Sequence, residues 1–145
     1  MNELHADPVA PPPSDRRSRF QWNKGGWFGA QFGVSCWLVP FGLLVAPVAG
    51  TLALVTGGAF VGLNALGFWL WSQRAKRSAY AGVQLMLLGS TIANAVVILL
   101  AQNYEDALRE LGRGTDVSVE VSTLLILISP ALMVLFFIQE RLSRR

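Results

Sequence analysis

Residues 51–71 of the chain read TLALVTGGAFVGLNALGFWLW, a run without a single charged side chain. The hydrocarbon core of a membrane, about 30 Å thick, is crossed by about 20 consecutive apolar helical residues, and this run meets that length. Three further uncharged runs of similar length occupy residues 25–48, 81–101 and 121–138. The sequence therefore predicts an all-α membrane protein, a bundle of four antiparallel transmembrane helices.

Composition agrees with that class, because 52% of the residues are hydrophobic and only 14% are charged, against the roughly 25% charged residues usual in soluble domains. The four spans make up a transmembrane domain over residues 25–138, with an outer loop at 102–120. Residues 1–24 contain a proline cluster and several arginines, and we expect a disordered cytoplasmic tail there. Residues 139–145 form a second, basic cytoplasmic tail. What remains outside the spans is too short for a soluble catalytic domain.

Orientation follows from the lysines and arginines, because short loops that are rich in them stay in the cytoplasm. The two tails and the loop at 72–80 carry ten of the twelve basic residues: Arg16, Arg17, Arg19, Lys24, Arg74, Lys76, Arg77, Arg141, Arg144 and Arg145. The loop at 102–120 carries more acids than bases. We therefore predict that both termini lie in the cytoplasm of a multi-pass protein of the cell membrane, plasma or inner.

The net charge of +3 is on this interpretation an orientation signal, and we expect no binding to nucleic acid. The expected partners are the lipid bilayer, including anionic lipids at the cytoplasmic face, and either a second copy of the chain or another membrane protein. Tryptophan and tyrosine prefer the membrane interface, and several cluster at the predicted cytoplasmic ends of the spans: Trp22, Trp27, Trp69, Trp71 and Tyr80.

No aspartate, glutamate, lysine, arginine or histidine lies within any of the four spans. Proton-coupled transporters and charge relays keep such residues in the membrane because they use them. Hydrolases need a nucleophile with a base or a metal, and the spans contain no histidine, aspartate or glutamate for that role. The single cysteine, Cys36, excludes a disulfide within the chain. We therefore predict a protein that is not an enzyme, with no catalytic residues, no cofactor and no metal site.

Neutral polar residues do occur within the spans, and those at overlapping depths form a candidate polar layer: Gln31, Asn64, Gln84, Ser90, Thr91 and Asn94. Hydrogen bonds between helices are the favoured interpretation, and a polar path for a small solute or ion is the alternative. Because spans two and three are joined by a short loop, we expect Asn64 to contact the third span at Gln84, Ser90 or Thr91, with Gln31 as the next candidate partner.

The second span carries a GxxxG motif at Gly58 and Gly62, with Ala65 one turn later on the same face. Small residues let membrane helices approach closely, so these three are candidate helix-packing residues. The seam lies either within one chain, which we favour, or between chains. Two other stretches also look like motifs, KGGWFGAQ at residues 24–31 and NALGFWLW at residues 64–71.

Three further features predict local structure. Pro40 and Pro130 each remove a backbone hydrogen bond, so we expect kinks about one turn upstream of them. The outer loop contains a short helix signature, with Asn103 as the capping residue, that either lies on the membrane surface or continues the third span.

The leading hypothesis is a small integral membrane protein that acts through helix–helix contacts, as an oligomer or an accessory subunit. The alternative is a minimal channel or uniporter for a small solute or ion, which would use the neutral polar residues.

Overall fold

The computed structural model describes residues 20–111 and 119–143, and in the last helix it describes side chains from Leu127 onward. These residues are helical and include no strand, which confirms the all-α prediction for the described part of the chain. The six helices are α1 (Lys24–Ser35), α2 (Leu38–Val45), α3 (Gly50–Ser72), α4 (Ala79–Gln102), α5 (Glu105–Leu111) and α6 (Val119–Ser143).

The first predicted span consists of two helices, α1 and α2, interrupted at Cys36 and Trp37. Pro40 has no N–H to donate to the carbonyl of Cys36, four residues earlier. That carbonyl instead accepts from the N–H of Val39 at 3.4 Å, a tighter turn than in an α-helix. The kink expected upstream of Pro40 coincides with this break between α1 and α2, whereas α6 continues through Pro130 as one helix.

Among the described residues, three segments are long and apolar enough to cross a membrane: Lys24–Val45, Gly50–Ser72 and Ala79–Gln102. They correspond to the first three predicted spans, and they indicate a multi-pass membrane protein. The fourth predicted span, 121–138, falls within α6. Part of that helix has no described side chains, so the fourth crossing stays a prediction.

Helices α3 and α4 make most of the contacts between helices in the described residues. Helix α3 packs against α1, α2 and α4, and α4 packs against α1 and α6. Ser78 caps the start of α4, because its side chain accepts from the N–H of Ala81 at 3.2 Å. Helix α4 is thus the element that joins the N-terminal helices to α6.

Residues 20–23, which the sequence placed in the tail, pack against the helical domain. The indole of Trp22 donates to the carbonyl of Arg77 at 2.9 Å, and its ring contacts the rings of Trp27 and Trp71. Phe20 packs against Tyr80 and Phe136. Phe20 and Trp22 therefore belong to the packed part of the protein, and residues 1–19 of the predicted tail lie outside the described residues.

The short helix expected in the outer loop is α5, and it is separated from α4 by a turn at Asn103 and Tyr104. Asn103 was expected to cap α5, but it ends α4, where its N–H donates to the carbonyls of the last turn. Tyr104 and Leu108 pack against the hydrophobic core. The helix is therefore a separate element and does not continue the third span.

Candidate functional site

The two motif-like stretches at residues 24–31 and 64–71 contact each other along α1 and α3. The indole of Trp27 donates to the carbonyl of Gly67 at 3.1 Å. One turn further along α1, the side-chain nitrogen of Gln31 donates to both oxygens of Asn64, the backbone carbonyl at 3.1 Å and Oδ1 at 3.0 Å. Both stretches therefore serve to join these two helices.

The amide of Asn64 is held from two sides. Its nitrogen donates to the carbonyl of Phe60 at 2.8 Å, within α3, and to the hydroxyl of Ser35 at 3.2 Å, on α1. With the nitrogen placed in this way, Oδ1 is the atom that remains to accept from Gln31. The hydroxyl of Ser35 in turn donates to the carbonyl of Gln31 at 2.9 Å. The three side chains form one network at the contact of α1 with α3.

Gly67 permits this close approach, because a Cβ atom at that position would overlap the carboxamide of Gln31. Gln31 is buried, and its Oε1 has no hydrogen-bond partner among the described residues. The carboxamide therefore contributes its nitrogen to the network, while its oxygen has no donor in the part of the chain that the structure describes.

The expected contact of Asn64 with the third span is wrong, and the alternative partner Gln31 is the one that the structure shows. Where α3 meets α4, the side chains of Leu63 and Leu66 instead pack over Gly89. The short loop correctly predicted that α3 and α4 are neighbours, but the side chains of α3 that meet Gly89 on α4 are apolar. Asn64 faces α1.

The remaining residues of the predicted layer lie on α4, and two of them bond to α6. The side-chain nitrogen of Gln84 donates to the carbonyl of Met133 at 3.1 Å, and the hydroxyls of Ser90 and Ser129 are 3.3 Å apart. Four residues of the predicted layer are thus divided between two contacts: Gln31 and Asn64 join α1 to α3, and Gln84 and Ser90 join α4 to α6.

Among the described residues, Thr91 and Asn94 join neither contact. The hydroxyl of Thr91 donates to the carbonyl of Leu87 within α4 at 2.8 Å. Asn94 is 4% exposed, yet its Oδ1 has no partner in the part of the chain that the structure describes. Asn94 is therefore a buried amide whose oxygen is not paired by any described residue.

The predicted glycine seam faces outward. Gly58, Gly62 and Ala65 are exposed, and a Cβ added at either glycine would meet no described atom within 4 Å. The favoured placement of the seam within one chain is therefore wrong for the described residues. A contact between chains stays a prediction.

Close approaches within the chain occur at other glycines. Besides Gly67, an added Cβ would crowd Trp22 at Gly82 and Leu66 at Gly89, at 2.7 and 2.8 Å respectively. Gly82 and Gly89 are two helical turns apart and share one face of α4. That spacing was visible in the sequence, although the GxxxG motif of α3 was the more obvious pattern.

A cavity of about 410 Å³ lies between α1, α4 and α6. Four buried polar residues of the described part of the chain line it: Gln31, Ser90, Asn94 and Ser129. Most of the wall is apolar, and it includes the rings of Trp27, Trp37 and Phe136. None of the described lining residues is ionisable, so this part of the wall offers no acid, base or counter-ion.

Arginines stack on aromatic rings close to the loop between α3 and α4 and near the end of α6. Arg74 lies 5.0 Å from the ring centre of Trp71, and Arg77 lies 5.1 Å from that of Trp69. On α6, Arg141 lies 5.2 Å from the ring of Phe137. These distances suit a cation–π contact.

No group of three or more histidine, cysteine, aspartate or glutamate residues that could hold a metal ion occurs in residues 20–111 and 119–143. Comparisons with protein-family models, curated proteins and solved structures found no match to this chain.

Proposed function

We propose that the chain is a four-span membrane protein, with both termini in the cytoplasm, that acts without catalysis through contacts between membrane helices. It works as a homo-oligomer or as an accessory subunit of a membrane assembly, in the plasma or inner membrane. The observation that carries the proposal is the outward face of α3, where Gly58, Gly62 and Ala65 are exposed.

Lipid tails are as apolar as leucine, so hydrophobicity gives membrane helices little reason to associate. Association depends on close packing, which small residues permit by letting two backbones approach. The opposite side of α3 already uses Gly67 in this way against α1. The outward face has the same kind of residues and no described neighbour, so a helix of another chain fits there.

Large apolar side chains stand beside the glycine face. Leu54 is 79% exposed and Val61 is 64% exposed, and both would pack around a helix seated on Gly58 and Gly62. Arg74, Arg77 and Arg141 supply positive charge for anionic lipid head groups, each contact contributing about 1 kcal/mol. The membrane and a second helical chain are therefore the proposed partners, with no nucleic acid.

The test replaces Gly62 with Leu and measures the mass of the assembly in lipid nanodiscs or bilayers by subunit counting. We expect the wild-type chain to associate and Gly62→Leu to dissociate, because the leucine side chain holds the two backbones apart. The matched control is Gly29→Leu, since Gly29 is also exposed in a helix and also lacks a neighbour within 4 Å.

A wild-type chain that is monomeric in bilayers would contradict the homo-oligomer. Equal masses for the wild type and Gly62→Leu would show that this face of α3 contacts lipid only.

The second candidate function, a minimal channel or uniporter for a small solute or ion, has the cavity in its favour. Against it, Gln31, Asn64 and Gln84 donate their amide nitrogens to neighbouring helices or residues. Solute flux into liposomes is the test, and a flux that disappears when the cavity is filled would favour this function.

A further inference from the structure

We propose that the cavity between α1, α4 and α6 binds a neutral, lipid-soluble molecule that has an apolar chain and a hydroxyl group at one end. This site uses different residues from the glycine face of α3. The inference therefore goes beyond the proposed function, and either can fail while the other holds.

The volume of the cavity, about 410 Å³, lies within the range of about 300–1,000 Å³ that is typical of small-molecule sites. Its wall follows the usual composition of such sites, mostly aromatic and aliphatic side chains with a few polar groups. Trp27 and Trp37 provide flat apolar surfaces on the N-terminal side, and Leu132 and Phe136 face them from α6. The apolar part of the ligand would pack among these side chains.

The cavity reaches the surface of the bundle between two helices. Both α1 and α6 pack against α4, but they do not pack closely against each other in the described residues. Lining residues at the edges of this gap are exposed, namely Gly33 on α1 and Ile128 on α6. In a membrane, an opening between two spans faces the acyl chains, so the ligand enters from the bilayer.

The polar groups favour a hydroxyl on the ligand. Asn94 lines the cavity, and its buried Oδ1 lacks a donor among the described residues. An unpaired amide oxygen in an apolar environment is costly, and a hydroxyl group that donates to it removes that cost. Ser90 and Ser129 lie beside it. A hydroxyl suits these groups because it both donates and accepts a hydrogen bond.

The wall of the cavity is unsuited to a charged ligand. No ionisable side chain occurs among the described lining residues, and a buried ion without a partner loses far more solvation than a neutral group does. A carboxylate or an ammonium group on the same apolar chain should therefore remain at the membrane surface and leave the cavity empty.

The experiment uses the full chain in phosphatidylcholine nanodiscs and a brominated long-chain alcohol as the probe. Bromine quenches tryptophan fluorescence on contact, and two of the tryptophans line the cavity. We expect quenching that saturates, above the linear contribution of probe dissolved in the lipid. The brominated carboxylic acid of the same length, at a pH where it is charged, should give the linear contribution alone.

Two leucine substitutions on α1 supply the matched comparison. Gly33 lines the cavity and Gly29 does not, and neither has a neighbour within 4 Å. Gly33→Leu should weaken binding of the alcohol at least about ten-fold, a change of about 1.4 kcal/mol, and Gly29→Leu should leave it unchanged. If Gly33→Leu does not fold, Ala30→Phe fills the same cavity from the neighbouring position on α1.

Asn94→Leu tests the polar part of the proposal. The substitution should lower the affinity for the brominated alcohol. The affinity for a brominated alkane, which has no hydroxyl group, should equal that of the wild type. Three outcomes would overturn the inference: linear quenching in the wild type, equal affinity in Gly33→Leu and Gly29→Leu, or saturable binding of the charged probe.

Discussion

Substitution of Gly67 by alanine tests the contact between α1 and α3 most directly. The new methyl group would overlap the carboxamide of Gln31, which is buried and lines the cavity between α1, α4 and α6. Gln31 would have to turn away, and it would lose its hydrogen bonds of 3.1 and 3.0 Å to Asn64. One added carbon atom therefore disrupts both the packing and the polar network at this contact.

The magnitude follows from two costs. Hydrogen bonds between membrane helices contribute about 0.6 kcal/mol each on average, so the two bonds account for about 1 kcal/mol. Overpacking of a close contact adds about 1–3 kcal/mol. Alanine also favours the helix by up to about 1 kcal/mol over glycine, and a control on the same helix cancels this term. Gly62→Ala is that control, because nothing described lies within 4 Å of it, and both variants are compared at a dilution at which the chain is monomeric, so that the proposed contact between chains does not contribute.

The measurement is reversible unfolding in mixed micelles, followed by tryptophan fluorescence and circular dichroism. We expect Gly67→Ala to be less stable than Gly62→Ala by about 2–4 kcal/mol, from the two costs above. In a Gln31→Ala background the overlapping carboxamide is absent, so the difference between the two variants should shrink, as a double-mutant cycle reveals for residues in contact.

Equal stability of Gly67→Ala and Gly62→Ala would refute the close approach at Gly67. A difference that persists unchanged in the Gln31→Ala background would show that the methyl group meets some other side chain.

Two further predictions concern topology and α6. Reporter fusions after Ser78 and after Arg145 should report a cytoplasmic location, and a fusion after Gly112 should report an external one. The reason is that most of the basic residues lie on the predicted cytoplasmic side. A cytoplasmic signal at Gly112 would contradict the orientation. Gln84→Leu removes the donor to the carbonyl of Met133, so it should cost about 1 kcal/mol of stability and speed hydrogen exchange in α6, and unchanged exchange would argue against this contact.

The helices were largely predictable because few backbone conformations are open to an apolar segment in a membrane. Without water in the hydrocarbon core, the backbone must satisfy its own hydrogen bonds, and a helix does so within one segment. Length and the absence of charge were therefore enough to place Gly50–Ser72 and Ala79–Gln102. The interruption before Pro40 was predictable as well, since it depends on the missing N–H of one residue.

The candidate sites were predicted less well, because composition does not tell which face of a helix meets which neighbour. Asn64 and Gln84 were expected in contact, yet each bonds to a different helix. The GxxxG motif identified Gly58 and Gly62, although the closest approach occurs at Gly67. The helical period fixes the angles between residues on one helix. It does not determine how that helix is rotated about its axis relative to its neighbours.

The sequence by itself determined a helical protein with apolar segments of membrane-spanning length and neutral polar residues within them. Those properties follow from solvation and local hydrogen bonding, which act on each segment separately. The tertiary structure alone decided that Gln31 and Asn64 join α1 to α3, that Ser90 and Ser129 join α4 to α6, and that a cavity remains between these contacts. The physical reason is that packing depends on how several helices rotate and approach one another at once, and no single segment encodes that arrangement.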